Sequence, residues 1–220
     1  NLGANKDSVD RVQDYVLGMK RLSPFADYVT VNISSPNTPG LRALQGKAEL
    51  EDLLGKLMET RRSMTAAGGD HFPVLLKIAP DLTDDDKSDI AAAVLAHGID
   101  GLIISNTTIS RPDEVTDPRR EEIGGLSGQP LKNLSMSVLS DMYRATKGRI
   151  PLVGVGGIQS ADDAYARIRA GASLLQLYTA MIYKGPYIAA KIASGLAQKL
   201  RDDKFRSVQD AVGVDTPLES

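Results

Sequence analysis

The sequence predicts an α/β fold: a parallel (β/α)8 TIM barrel, of which this chain holds roughly the C-terminal five βα units. Three observations carry the prediction. Short Val/Ile/Leu-rich segments alternate with amphipathic ones. Each short segment is almost continuously apolar, as in strands covered on both faces. Polar residues gather where each of these segments ends: Asn32 and Ser35, Lys77, Asn106 and Thr107, Gly156 and Gly157, Tyr178 and Thr179. A doubly wound sheet is the competing architecture. One ring-shaped site assembled from every strand end is the habit of a barrel.

In chain order, the strands are expected at Tyr28 to Ser34, Val74 to Ala79, Gly101 to Asn106, Pro151 to Gly157 and Leu174 to Thr179. Helices fill the gaps. Val12, Tyr15, Val16 and Met19 recur at helical spacing, as do Leu50, Leu53, Leu54, Leu57 and Met58. Thr83 with Asp86, and Ser160 with Asp163, have the spacing of capping boxes. Ile90 and Val94 form the buried stripe behind the first box, Ala164 and Ile168 behind the second. Further helices are expected from Asn133 to about Thr146 and from Gly185 to about Lys199, with one turn at Val208 to Val212. The opening, Asn1 to Lys6, lacks an initiator Met and reads like the end of a buried element. That predicts a chain beginning inside a domain, with about three βα units ahead of it.

The 220 residues suffice for a substantial core. A formal net charge of -2 points to no nucleic-acid partner. With no cysteine, this segment can carry no disulfide, zinc thiolate, iron–sulfur cluster or cysteine nucleophile. No apolar run reaches the roughly 20 residues that span a bilayer. His71, ahead of a strand, and His97, at a helix end, read as solvated or satisfied. The run Asp84-Asp85-Asp86 suits a helix N-terminus rather than a metal, and the methionines fall on helical stripes as core.

The chemistry concentrates in Val31 to Gly40, where Asn32, Ser34, Ser35, Asn37 and Thr38 crowd the end of a strand stopped by Pro36. A carboxamide offers a donor and an acceptor side by side, which suits a planar, uncharged, imide-rich ring. Alternation turns Val29, Val31 and Ile33 toward the helices, and Thr30 and Asn32 inward. By the same parity Lys77 points inward between Leu76 and Ile78, at the level of Asn32. Asn106 adds another carboxamide there. Gly154 to Gly157, followed by a helix start at Ser160, together with Leu177-Tyr178-Thr179, would form the phosphate site of the last two barrel turns. Gly124 to Gly128 sits in a long loop after Asn106, expected to run for roughly 20 residues without structure of its own and to approach a ligand.

Val31 to Thr38, Lys77 to Leu82, Ser105 to Thr108, Gly124 to Gly128 and Val153 to Ile158 together strongly resemble the dihydroorotate dehydrogenase family, in its order and spacing from Asn1 to about Asp215. The likeness is to the class-2, quinone-linked branch, which uses a serine base where class 1 usually has cysteine; the position here is Ser35. Leu44 to Leu50 is close to animal-type mitochondrial members. The resemblance implies FMN as cofactor and dihydroorotate as substrate, oxidised to orotate in pyrimidine biosynthesis. Ser35 would take a proton from C5 while a hydride leaves C6 for the flavin, with Thr38 orienting the serine. Asn32, Asn37, Asn106 and Thr107 would bind substrate. Asn1, Asn32, Lys77, Ser105, Asn106, Ser127, Gly128, Gly156, Gly157, Leu177, Tyr178 and Thr179 would hold the flavin. It also implies a quinone acceptor and membrane contact through a segment outside this chain, at the mitochondrial inner membrane in a eukaryote or the cytoplasmic membrane in a bacterium. Three other readings stand beside it: a class-1-like enzyme with a soluble acceptor, a lyase or aldolase barrel using Lys77 as Schiff-base nucleophile, and a non-catalytic barrel fragment.

Overall fold

A computed structural model describes every residue except Pro39, Glu219 and Ser220. Pro39, the second proline of the Val31 to Gly40 motif, therefore lies outside the described residues, as do the last two positions of the 1–220 domain. The strands are β1 (Val29–Asn32), β2 (Val74–Ile78), β3 (Gly101–Ile104), β4 (Leu152–Val155) and β5 (Leu174–Gln176). The helices are α1 (Arg11–Leu22), α2 (Lys47–Ala66), α3 (Asp84–His97), α4 (Lys132–Ala145), α5 (Ala161–Arg169), α6 (Thr179–Lys184), α7 (Ile188–Asp202) and α8 (Val208–Ala211).

All five strands pair in parallel in the order β1-β2-β3-β4-β5. Helices α1, α2, α3 and α4 pack each on the next. Strands in sequential order with sequential helices side by side are singly wound, as in a barrel; a doubly wound sheet would reverse its order and send helices to both faces. The chain thus forms five βα units of a (β/α) barrel. On the free edge of β1, Leu2 makes a parallel bridge to Val31, its N–H donating to Thr30 O at 2.7 Å and its carbonyl accepting from Asn32 N at 3.0 Å. The first residues do lie alongside a buried element.

Burial follows the expected parity. In β2 the helix-facing Val74, Leu76 and Ile78 are fully buried, and the inward Leu75 and Lys77 only partly. The core lies between sheet and helices. Leu50, Leu53, Leu54 and Leu57 line one stripe of α2 and are inaccessible to water; each contributes about 1.5–3 kcal/mol. Most methionines join this core, but Met181 on α6 is 38% exposed.

Several expectations needed adjustment at their ends. Every strand ends one to three residues sooner than expected: Asn32 and Lys77 stay in the ladder of β1 and β2, whereas Asn106, Gly156, Gly157, Tyr178 and Thr179 lie beyond the ends of β3, β4 and β5. The helix foreseen from Gly185 begins at Ile188, and six residues earlier in the chain, Thr179–Lys184, form the separate α6, ended by Gly185 at φ 78°. Thr83 and Asp86 make a complete capping box. Ser160 makes half of one: its hydroxyl accepts from Asp163 N, but the Asp163 carboxylate accepts from Gln159 N and pairs with Lys132. The loop after Asn106 has internal structure. The Arg111 guanidinium donates to the carbonyls of Ser110, Arg120, Glu122 and Gly124, and Thr108 bridges Leu126 antiparallel. His71 is exposed, and His97 bonds Glu51 on α2.

Candidate active site

The end of β1 supplies the first group. The hydroxyl of Tyr15, buried on α1, donates to Asn32 O at 2.6 Å and fixes the strand end; burial pushes that phenol above its usual range. Asn32 Oδ1 accepts from Ser34 Oγ at 2.9 Å and from Asn106 Nδ2 at 3.3 Å. Asn106 Nδ2 also donates to Ser34 Oγ at 3.1 Å, while its Oδ1 accepts from Thr107 N at 2.8 Å. Carboxamides from two strand ends are thereby held in one hydrogen-bonded cluster of donors and acceptors. In the sequence Ser34 counts within this polar cluster but has no role of its own, although alternation after Ile33 turns it inward.

Asn32 and Lys77 are direct register partners on β1 and β2. Among the described residues the Lys77 ammonium has neither a carboxylate nor a hydrogen-bond partner, and its burial holds the ammonium below the ordinary lysine range. A half-buried cation with no counter-charge favours an anionic or electron-rich ligand beside it.

Lys77 lines a cavity of about 780 Å³, within the range of small-molecule sites. Ser105, Asn106 and Thr107 line it from β3, Ser127 and Gly128 from the loop that follows, Gly156 and Gly157 from β4, and Leu177, Tyr178 and Thr179 from β5. Two contacts close the loop over this cavity. Thr179 Oγ1 donates to Ser127 Oγ at 3.0 Å. At Gly125 a Cβ would fall 1.7 Å from Thr107 Oγ1 and 3.0 Å from Pro36 Cγ, so only glycine lets the β1 and β3 loops meet there.

Also in the cavity wall, Gly156 and Gly157 have φ of 115° and 69°. The carbonyl of Gly156 is taken by Arg167 and that of Gly157 by Gln129 Nε2 at 2.7 Å. Because a trans peptide directs its N–H opposite its C=O, the turn aims N–H groups away from those partners. Such a nest suits a phosphate.

The predicted residues do not all meet in the cavity wall. Ser35 is half-buried in the β1 loop, its Oγ accepting from Asn37 N at 3.3 Å. Thr38 is half-buried beside it, with no bond to Ser35 among the described residues. Asn37 is exposed, its Oδ1 3.4 Å from where a Cβ on Gly124 would stand. Asn1 is exposed next to Leu2. These residues, like Asn32 at the end of β1, are not among those that line the cavity.

A bracing network escaped sequence reasoning. Arg42 Nε donates to Ser34 O at 3.1 Å, Nη1 to Asp81 Oδ2 at 2.9 Å and Nη2 to Thr107 O at 2.9 Å. Asp81 also accepts from Ile109 N at 3.1 Å, Ser110 Oγ at 3.0 Å and Thr108 Oγ1. Burial alone would raise the Asp81 carboxyl, but bonds from Thr108, Ile109, Arg42 and Ser110 outweigh it and hold it below the carboxylate norm. One ion pair ties the loops of β1, β2 and β3. The only sequence signal was Asp81 following Pro80 at a strand end.

Residues 1–200 match the family model described as "Dihydroorotate dehydrogenase". A protein of Parvibaculum lavamentivorans named "Dihydroorotate dehydrogenase (quinone)" is 56% identical over 99% of this chain and 61% of its own length. The mitochondrial protein of that name from Mus musculus is 52% identical over 98% of this chain and 54% of its own length. A crystal structure of ligand-free DHODH from Eimeria tenella superposes with a TM-score of 0.92 at 42% identity, over 99% of this chain and 63% of that one. The chain therefore spans roughly three-fifths of these proteins, or somewhat less.

Proposed function

Because the chain belongs to the dihydroorotate dehydrogenase family, we propose that it carries the flavin and substrate site of a quinone-linked dihydroorotate dehydrogenase, oxidising dihydroorotate to orotate for pyrimidine (UMP) synthesis. Residues 1–220 form the C-terminal part of one FMN-binding barrel in this reading. The observation that carries it is that Asn106, hydrogen-bonded to Asn32 and Ser34, and the unpaired Lys77 ammonium line one cavity together with the Gly156–Gly157 turn.

The donor set suits FMN. Lys77, Ser105 and Asn106 would face the ring, with Asn1 and Asn32 at its β1 edge. Ser127, Gly128, Leu177, Tyr178 and Thr179 would line the ribityl path, and Gly156 and Gly157 the phosphate. When bound, FMN supplies the acceptor for the electron pair that leaves C6. Lys77 offsets negative charge gathering near the ring. Asn32, Asn37, Asn106 and Thr107 hydrogen-bond substrate and fix its orientation. Ser35 Oγ takes the C5 proton as its own hydroxyl proton passes to solvent water, and Thr38 orients the serine. A serine hydroxyl is a weak base, so it needs the water-poor setting that the Pro36–Gly125 contact helps to enclose. Quinone reduction and membrane contact belong to a segment outside this chain, at the mitochondrial inner membrane of a eukaryote or the cytoplasmic membrane of a bacterium.

The test is the visible spectrum of the full-length protein. A flavin band that bleaches on adding dihydroorotate is expected. A colourless protein whose Lys77 is trapped by borohydride would replace this reading with Schiff-base chemistry.

A further inference from the structure

Arg167 is fully buried on α5, directly under the turn that ends β4. Its side chain runs beneath the strand, with Cδ 3.3 Å from where a Cβ on Gly154 would stand. Nη2 donates to Ser135 Oγ at 2.7 Å, to Lys132 O at 3.2 Å and to Gly156 O. Nη1 has no partner among the described residues. Among the described residues no ion pair involves Arg167. The nearest carboxylate in electrostatic terms, Asp163, is paired with Lys132 and caps Gln159 N at 3.0 Å. Burial pushes the guanidinium down to about 10, which leaves it charged at neutral pH.

Lys132, Asp163 and Arg167 together hold two positive charges and one negative. A buried charge without compensation is costly. The surplus lies behind the Gly156 carbonyl, the N–H of the same peptide points away from Arg167, and Gly156 and Gly157 both line the cavity. We propose that Arg167 is a positioning residue for a phosphate monoester held by the Gly156–Gly157 turn, its buried charge acting through the Gly156 peptide. The bond to Gly156 O fixes the turn and polarises the peptide so that the Gly157 N–H is a stronger donor. The anion in return supplies the missing counter-charge. This rests on the FMN reading above and adds a residue that need not touch the ligand.

The test uses full-length protein stripped of flavin and titrated separately with FMN and with riboflavin, read by flavin fluorescence. Riboflavin has the ring and ribityl chain but no phosphate. If the wild type shows no preference for FMN, the cofactor reading and this proposal fail together. If it does, Arg167→Gln is expected to weaken FMN by about tenfold or more, as for loss of a charge-assisted contact, while riboflavin stays within about twofold. Arg167→Lys should recover part of the loss. Equal weakening of both flavins, or an unchanged FMN affinity, overturns the proposal while leaving the FMN reading intact. Should Arg167→Gln not fold, Lys132→Gln carries the test from the rim, where the side chain is 37% exposed. It frees Asp163 to neutralise Arg167, so it must lower the FMN-to-riboflavin preference, and an unchanged ratio refutes the role.

Discussion

The Arg42–Asp81 pair should be a coupled brace rather than two independent anchors. Truncating one partner of a fully buried ion pair costs about 3–5 kcal/mol. Here the side chains keep 20% and 14% exposure, so water recovers part of that. Asp81→Asn also weakens the bonds from Thr108, Ile109 and Ser110. We expect about 2–3 kcal/mol for Asp81→Asn or for Arg42→Gln, and about 1–2 kcal/mol less than their sum for the double variant. Urea unfolding of the full-length protein at pH 7, with common m-values, measures all three. Additivity within about 0.5 kcal/mol would refute the brace. The pH dependence gives a second check. Folding holds Asp81 below its unfolded value of about 3.9, so its contribution is complete above that value and disappears as pH falls through the lower, folded one. The stability gap between wild type and Asp81→Asn should therefore narrow on acidification.

Other consequences can be checked on the same full-length protein. Ser35→Ala should slow stopped-flow flavin reduction by about 10²–10⁴-fold while orotate affinity barely changes, whereas equal loss of both would make Ser35 merely structural. Gly157→Ala places a Cβ 2.5 Å from Lys132 Cβ at φ 69°, so it should cost about 2–4 kcal/mol in thermal unfolding and lower the flavin retained on purification. Lys77→Met removes an ammonium that burial disfavours. The flavin-free variant should be at least as stable as wild type at pH 7, the gap closing as pH rises through the lowered folded lysine value and gone above the unfolded value of about 10.4, while holoprotein loses flavin affinity; a less stable flavin-free variant would contradict the unpaired cation.

The sequence alone set the elements and their faces, because these are local properties. Continuous apolar runs place β1 to β5 within one residue at their starts and three at their ends. The i, i+3, i+4 stripe of Leu50 to Leu57 fixes which side of α2 is buried, and strand parity turns Lys77 and Asn32 to one side. The choice of barrel over doubly wound sheet was legible only indirectly, from polar strand ends; the pairing order decided it. Tertiary structure alone brought Arg42 to Ser34, Asp81 and Thr107, and Arg167 to Gly156. Long cationic side chains in loops and on short helices follow no period. Their partners depend on which strand lies next to which, and in what register, and that is settled only when the whole sheet closes on its core.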